Sequence, residues 1–541
     1  MGSARGERTA LLEKQSPRQE VVTNEICSSL RIGSAQRHPN TGQAGTDVVQ
    51  SRARDRRGWQ RRDRDFVGAS QEVESLKTRD HSRLVAELSE AYERHSPKSA
   101  RLNEEAKKYL IDGGSHSIRL TEPFPPRLAS AHGAWLTDED GHRILDFWQG
   151  HFANILGHNP PLVTSTLAQA LEDGFGLQTG FPDRLQVEAA EVLCRQTGFD
   201  RVRFTTSGSL ATMNAVLLAQ AFTGRDMVMK VGGGWHGGHP WGLKGVGFQV
   251  GEGNGFQRVD TAGLPASITD RVIVTPFNDP QRLRDDFREY GDRLACFTVE
   301  PFVGAGGCLP ATREFLLTAR ELTDQYGVVL IFDEVIAGFR FRAGDLGSLY
   351  GVQADLATFG KIIGGGMPVA ALAGREEIMR LVGRDGGRKV KFSGGTYSAH
   401  PASMLAAKTM MEYLVAHEDE IYPRLASLGD KARRTAEAAF GEEGIYARCT
   451  GYASDVFPGG SLSLIAFPHE EGRELQTPHD VRDPALCDVA LGEEVLQLAL
   501  LVHDVYGKHG LGAVSAAHTD EDLDFLREAY RRVARLFKKH L

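Results

Sequence analysis

The sequence predicts an α/β protein: a large domain on a mostly parallel sheet flanked by helices, with a smaller α+β C-terminal domain. Three observations carry that expectation. Short, continuous apolar runs alternate with amphipathic helices through the middle of the chain, the pattern of βαβ units whose strands are buried on both faces. After about residue 400 the text changes to long helices with a few separated strands. The 541 residues also exceed what one compact domain usually takes.

In order along the chain, residues 1–80 are rich in Arg, Ser, Gln and Gly and lack sustained apolar periodicity, so a disordered extension is predicted. Its SRARDRRGWQRRDRD stretch (51–65) reads either as an arm for nucleic acid or another anionic partner or as a solvated tail, in which interspersed Asp residues dilute the basic field. Residues 81–160 begin with the helical SRLVAELSEAYERH and contribute strands to the small domain. Residues 161–395 form the large domain. There RVRFTT (201–206), DMVMKV (226–231), RVIVTP (271–276), ACFTVEP (295–301) and GVVLIFDEV read as strands. A helix from about Ala211 to Thr223 places Ala211, Ala215, Leu218, Ala219 and Phe222 on one face, with Gly224 as its stop. A second helix is REFLLTARELTDQY (313–326). Residues 396–541 supply the small domain, starting with SMLAAKTMMEYLVAH.

Composition narrows the function classes. Residues 1–80 hold 15 Lys/Arg against 11 Asp/Glu, a charge of +4, which leaves −12 of the net −8 on the remainder. An acidic body offers no electrostatic footprint for nucleic acid. No apolar run reaches membrane-spanning length, so no membrane partner is expected. Six scattered cysteines without a Cys-x-x-Cys pair suit a reducing cytoplasm and give no zinc spacing, and there is no His-Glu-x-x-His helix. No metal is expected.

Three features carry chemistry. Ser207-Gly208-Ser209 lies between a strand and a helix start, where free backbone N–H groups and two hydroxyls receive a phosphate or carboxylate. Simple helix capping by Ser209 is the competing reading. Asp333-Glu334 ends the run VVLIF, at the sheet edge where ligands bind in parallel α/β folds; a buried structural carboxylate is the alternative there. Lys361 follows DLATF and precedes Gly364-Gly365-Gly366. A nucleotide-binding P-loop is excluded, because Asp355 stands at the first glycine position and Ile362 replaces the hydroxyl that would hold magnesium. A partly buried lysine instead suits Schiff-base chemistry. Lysine, carboxylate and helix start together describe a site for pyridoxal phosphate: amine for its aldehyde, helix N-terminus for its phosphate, carboxylate for its pyridine nitrogen. Trp235, in GGGWHGG, is available to stack on the ring, or else to pack in the core.

The chain resembles the class III aminotransferases of pyridoxal-phosphate fold type I, in the style of the glutamate-1-semialdehyde aminomutase branch. The resemblance runs from about Ala106 to the C-terminus through SGSLATM, TGRDMVMKVGGGWHGG, FTVEPFVGAGG, LIFDEVIAGFRF, TFGKIIGGGMPVAALAGR, SGGTYSAHP and AAHTDEDLD. It implies that Lys361 holds the cofactor covalently and then shuttles the proton. It also implies that Asp333 pairs with the pyridine nitrogen, Val335 packs on the ring, and Ser207, Gly208 and Ser209 bind the phosphate. By the same resemblance Trp235 stacks on the ring, while His236 and Glu300 support the pocket. Thr396 reaches the neighbouring subunit's phosphate, making a homodimer the functional unit. Arg119 grips a substrate carboxylate, and His151 and Phe152 line the substrate pocket. Three departures from the family pattern stand out. Leu210 replaces a usual Glu, and Ala305 replaces the Glu of the ornithine and 4-aminobutyrate subgroup. His509-Gly510 stands where aminomutases commonly have Phe-Glu. The expected activity is amino transfer between an amine donor and a carbonyl acceptor, both small molecules. Intramolecular transfer of the aminomutase type is the alternative, and an inactive binding protein on the same scaffold a third.

Overall fold

The computed structural model describes residues 79–541 apart from 251–254 and 385–388, so the expected extension through residue 78 lies outside the described residues. The central sheet has seven strands: β1 (Arg201–Thr205), β2 (Met227–Val231), β3 (Val272–Thr275), β4 (Leu294–Val299), β5 (Val329–Glu334), β6 (Leu356–Phe359) and β7 (Ala370–Gly374). Their spatial order is β1-β7-β6-β5-β4-β2-β3. The pairs β5–β6, β5–β4, β2–β4 and β2–β3 are parallel, while β7 runs antiparallel to both β6 and β1. The parallel core follows the expectation; the antiparallel β7 is an addition to it.

Each predicted strand is present and slightly shorter than its apolar run. The helix after β1, α1 (Gly208–Thr223), starts three residues earlier than the periodicity suggests. Its buried face holds Ala211, Ala215, Leu218 and Ala219 against Val329 and Ile331 of β5 and Leu372 of β7. Phe222, expected on that face, is 44% exposed, because the helix's last turn runs past the packed layer. Helix α2 (Arg313–Tyr326) matches its expected bounds and is capped by the Thr312 hydroxyl, which accepts from the Phe315 N–H. Asp355 accepts from the Leu330 N–H at 2.8 Å and from Arg320 and Arg375, tying β5 to its neighbours. That residue is committed to the scaffold.

Besides the two-stranded pair Phe302–Val303 and Leu309–Pro310, two smaller sheets lie outside this core among the described residues. Strands Leu128–His132, Trp135–Asp138 and Arg143–Asp146 form a meander, extended by Val505–Tyr506, which pairs in parallel with Arg143–Asp146. The other sheet contains Arg448–Cys449, Leu462–Ala466 and Leu511–Ala513. Helix α3 (Pro401–Ala416) packs on helices Pro161–Glu172 and Arg184–Thr197 and on the turn that carries Lys361. Among the described residues no helix is long and apolar enough to cross a membrane.

Candidate active site

A cavity of about 240 Å³ opens at the carboxyl ends of the parallel strands, lined by Ser207, Gly208, Ser209, Trp235, His236, Glu300, Asp333, Val335 and Lys361 among others. Ligands bind at that edge because successive βα loops converge there. Residues from five separate stretches of the sequence meet in it.

Asp333 and Glu334 are adjacent on β5, so strand alternation sends their side chains to opposite faces. Asp333 faces the cavity. Its Oδ2 lies 2.8 Å from His236 Nδ1, and its Oδ1 accepts from the Thr358 hydroxyl at 2.9 Å and the Val335 N–H at 3.1 Å. Burial pushes its carboxyl up, but His236 and these donors outweigh that and hold it below the usual carboxylate range. Glu334 turns away and accepts from the N–H groups of Leu346 and Gly347, a structural bond, with burial and Asp345 raising its pKa. The two carboxylates that are indistinguishable in sequence thus have different work.

His236 is buried, and burial lowers its pKa despite Asp333. A carboxylate accepts only, so the neutral ring carries its proton on Nδ1. Its Nε2 is buried without a hydrogen-bond partner.

Lys361 follows β6 at a backbone φ of 48°, in the left-handed region, and its amine enters the cavity. Burial depresses its pKa to about 8, against the pull of Asp333 and Glu300. A substantial neutral fraction is therefore present near physiological pH, the condition for nucleophilic work. Glu300 accepts from the Trp235 N–H at 2.9 Å and the Gly304 N–H at 3.2 Å; burial, then Asp333, raises its pKa to about 8. Trp235, 40% exposed, is held at the cavity wall through that backbone bond.

At the helix end it is Ser207, not Ser209, that caps α1: its hydroxyl accepts from the Leu210 N–H. The first intrahelical bond runs from the Ala211 N–H to the Ser207 carbonyl, so the Gly208 and Ser209 N–H groups precede the ladder. Ser209 Oγ accepts from the Gly238 N–H at 3.2 Å. A Cβ on Gly208 would meet Val335 Cγ1 at 2.9 Å, so the helix start and the Val335 side chain are in close contact. On Gly237, at φ +96°, a Cβ would lie 2.6 Å from the Ser209 Cα. Both glycines keep the helix start accessible.

None of the expected substrate residues Arg119, His151 and Phe152 is among the residues that line this cavity. Arg119 Nε donates to His151 Nε2 at 3.2 Å. Burial, with the charges of Arg119, His116 and Lys361, drives the His151 pKa down to about 3, so that ring stays neutral and accepts. Phe152 does not line the cavity: it is buried against Trp148, and its carbonyl accepts from Arg340. Thr396 is exposed and also outside the lining. Residues missed from sequence include Thr358, placed beside Asp333 by the β5–β6 register, and Lys508, whose buried amine donates to the Leu120 carbonyl and the Thr121 hydroxyl just after Arg119. Neither has a local motif; only strand pairing and the return of the C-terminal segment reveal them.

The residues present fit pyridoxal phosphate on two structural grounds: an amine of lowered pKa shares a cavity with a buried carboxylate, and the α1 N-terminus opens into the same space. Fold and site define a pyridoxal-phosphate enzyme of fold type I. The profile of the class-III aminotransferases matches residues 120–437, and the chain belongs to that family. It is 32% identical over 440 residues to the glutamate-1-semialdehyde 2,1-aminomutase of Methanosarcina acetivorans, covering 80% of this chain and 97% of that protein. The protein of the same name from Thermodesulfovibrio yellowstonii is 33% identical over 455 residues, 82% of this chain and 99% of its own. Among solved structures, an omega-transaminase from Sphaerobacter thermophilus superposes with a TM-score of 0.72 at 31% identity, covering 81% of this chain and 97% of that one.

Proposed function

We propose that this chain moves an amino group within one substrate, in the manner of glutamate-1-semialdehyde 2,1-aminomutase, with pyridoxal phosphate as cofactor. What carries this reading is its similarity to curated aminomutases along nearly their whole length. They support the intramolecular alternative over the transfer between two substrates expected from sequence.

When bound, the cofactor supplies an electron sink for the charge left as a proton departs the substrate's Cα. The chain's residues do the rest. Asp333, ionised and fixed by Thr358 and His236, would pair with the pyridine nitrogen. The Gly208 and Ser209 N–H groups, with the Ser207 and Ser209 hydroxyls, would hold the phosphate. Val335 and Trp235 bound the ring, and Glu300 fixes the Trp235 backbone. The Lys361 amine would hold the cofactor's aldehyde and, once freed, would carry the proton that leaves the substrate's Cα. Arg119, held by His151, meets the substrate carboxylate, a pairing that suits a planar guanidinium. Thr396, exposed in the single chain, serves the neighbouring protomer's phosphate in a cytoplasmic homodimer.

Two outcomes follow within this site. Arg119→Ala raises KM by about ten- to a hundredfold, the worth of a lost charge-assisted bond, with a smaller change in kcat; steady-state kinetics on the carboxylate substrate measures it. The rate at which the apo-chain takes up pyridoxal phosphate rises with pH through about 8 and then levels off, since the Lys361 amine sheds its proton there. The growth of cofactor absorbance reads that rate, and a flat profile contradicts a reactive Lys361.

The deciding experiment gives the pyridoxamine form glutamate-1-semialdehyde without any acceptor. Formation of 5-aminolevulinate is the expected result. Turnover only with a separate donor and a 2-oxo acid would establish the second reading, intermolecular transamination. That reading draws support from the likeness to the omega-transaminase and from His509-Gly510 in place of Phe-Glu.

A further inference from the structure

Lys508 is a buried amine that the chemistry proposed above does not use. It lies just past strand Val505–Tyr506, where the C-terminal segment returns beside the meander, and it is 1% exposed. Its Nζ donates to the Leu120 carbonyl at 3.4 Å and to the Thr121 hydroxyl, on the two residues that follow Arg119. Among the described residues no acidic side chain bears on this amine: burial alone lowers its pKa, to about 8. An ammonium carries three donors, and burying a charge is costly unless it is paired.

Lys230 shows how this fold satisfies a structural lysine. Its amine, equally buried, donates to three carbonyls, those of Gly234, Gly242 and Lys244. Glu300, Asp260 and Asp333 support its charge against burial. Lys508 has two acceptors and no such acids, so one N–H and an uncompensated charge are left over.

That charge lies near the expected substrate residues. His151, whose Nε2 accepts from Arg119, is held neutral by burial and then by the charges of Arg119, His116, Lys361 and Lys508. Arg119, Lys361 and Lys508 are therefore all within electrostatic range of one ring. The Arg119 charge also bears on Tyr506, whose ring centroid is 6.0 Å from the Lys508 Nζ.

We propose that Lys508 is a specificity-determining residue, the second cation of the subsite in which Arg119 meets the substrate carboxylate. Its remaining N–H and its charge are offered to the carboxylate that Arg119 grips, so the site prefers a substrate that ends in one. The inference rests on the reading of Arg119 given above. Sequence conceals the pair, because Lys508 joins Arg119 only through the return of the C-terminal segment.

The test uses the full-length holoenzyme and two amines, 5-aminopentanoate and pentylamine, which differ only in a terminal carboxylate against a methyl. Cofactor absorbance reports the dissociation constant of each. The wild type binds 5-aminopentanoate at least about tenfold more tightly, the worth of a charge-assisted bond. Lys508→Met removes the charge at similar length, while Lys508→Gln also keeps donors for Leu120 and Thr121. Each lowers the preference about tenfold. A lysine that only ties the segment down would weaken both amines alike in Lys508→Met and neither in Lys508→Gln. That pattern overturns the proposal, as does a wild type that shows no preference or responds to neither amine. Arg119→Ala separates the two readings. If it lowers the preference and the Lys508 variants do not, Lys508 alone is removed; in the reverse case the Arg119 reading fails and Lys508 stands. The ratio of two dissociation constants holds whether amino transfer runs within one substrate or between two. Should Lys508→Met not fold, Lys508→Gln decides.

Discussion

Replacing Lys361 with Ala removes covalent attachment of the cofactor and lowers turnover by about 10²- to 10⁴-fold through loss of the proton carrier alone. The geometry makes this a clean experiment. The Lys361 amine makes no hydrogen bond among the described residues, so its removal orphans no partner. Burial holds its pKa at about 8 against an ordinary 10.5, so between those values the unfolded chain binds more protons than the folded one. Stability of the apo-chain from this group therefore rises with pH across that window, and near neutrality a buried ammonium opposes folding. Lys361→Ala should accordingly keep or raise the apo-chain's melting temperature while losing activity. Two measurements settle it together, thermal unfolding and cofactor absorbance after desalting. A variant that retains the covalent band, or that turns over at the wild-type rate, would remove Lys361 from the mechanism.

How much of this was legible without coordinates depends on where each signal lives. Strands buried on both faces announce themselves as apolar runs, which is why β2, β4 and β5 read directly from DMVMKV, ACFTVEP and VVLIF. β7 does not, because its sequence is AALAG and Ala and Gly are poor strand formers. Its small residues have a cause: a Cβ on Gly374 would meet Leu356 Cδ2 at 2.2 Å, so the strand is squeezed between neighbours. Lys361, Asp333 and the serine-glycine turn were readable because each sits at a strand-to-helix or strand-to-turn junction. Which serine caps the helix was not, since Ser207 and Ser209 both satisfy the local rule and only the backbone at Ser207 is extended, with φ −155° and ψ 153°. Thr358 became part of the site through register with Asp333, a pairing that no spacing encodes. Phe152 is not decided by local spacing either: family position suggests the substrate pocket, while in the single chain its ring packs on Trp148.

Asp333→Asn is the complementary test, because it changes charge with little change of shape. The amide oxygen can still accept from the Thr358 hydroxyl and the Val335 N–H, which meet Oδ1 in the wild type. The amide nitrogen, however, would face His236 Nδ1–H, a donor against a donor at 2.8 Å. His236 has an escape: its Nε2 is unpartnered, so the ring can move its proton there and accept on Nδ1. The fold should therefore survive with a small loss of stability, while the carboxylate proposed to stabilise a protonated pyridine nitrogen is gone. An electrostatic contact of this kind is worth roughly 10²- to 10³-fold in rate when removed. The fall should appear in kcat far more than in KM, since in the proposed role Asp333 acts on the electronics of the reaction and not on substrate capture. A purely structural Asp333 would give a different pattern, with lowered melting temperature and cofactor occupancy but near-normal turnover per bound cofactor. Measuring kcat per cofactor bound separates the two, and a decrease of less than about threefold, well short of that electrostatic loss, would leave the carboxylate without its assigned role.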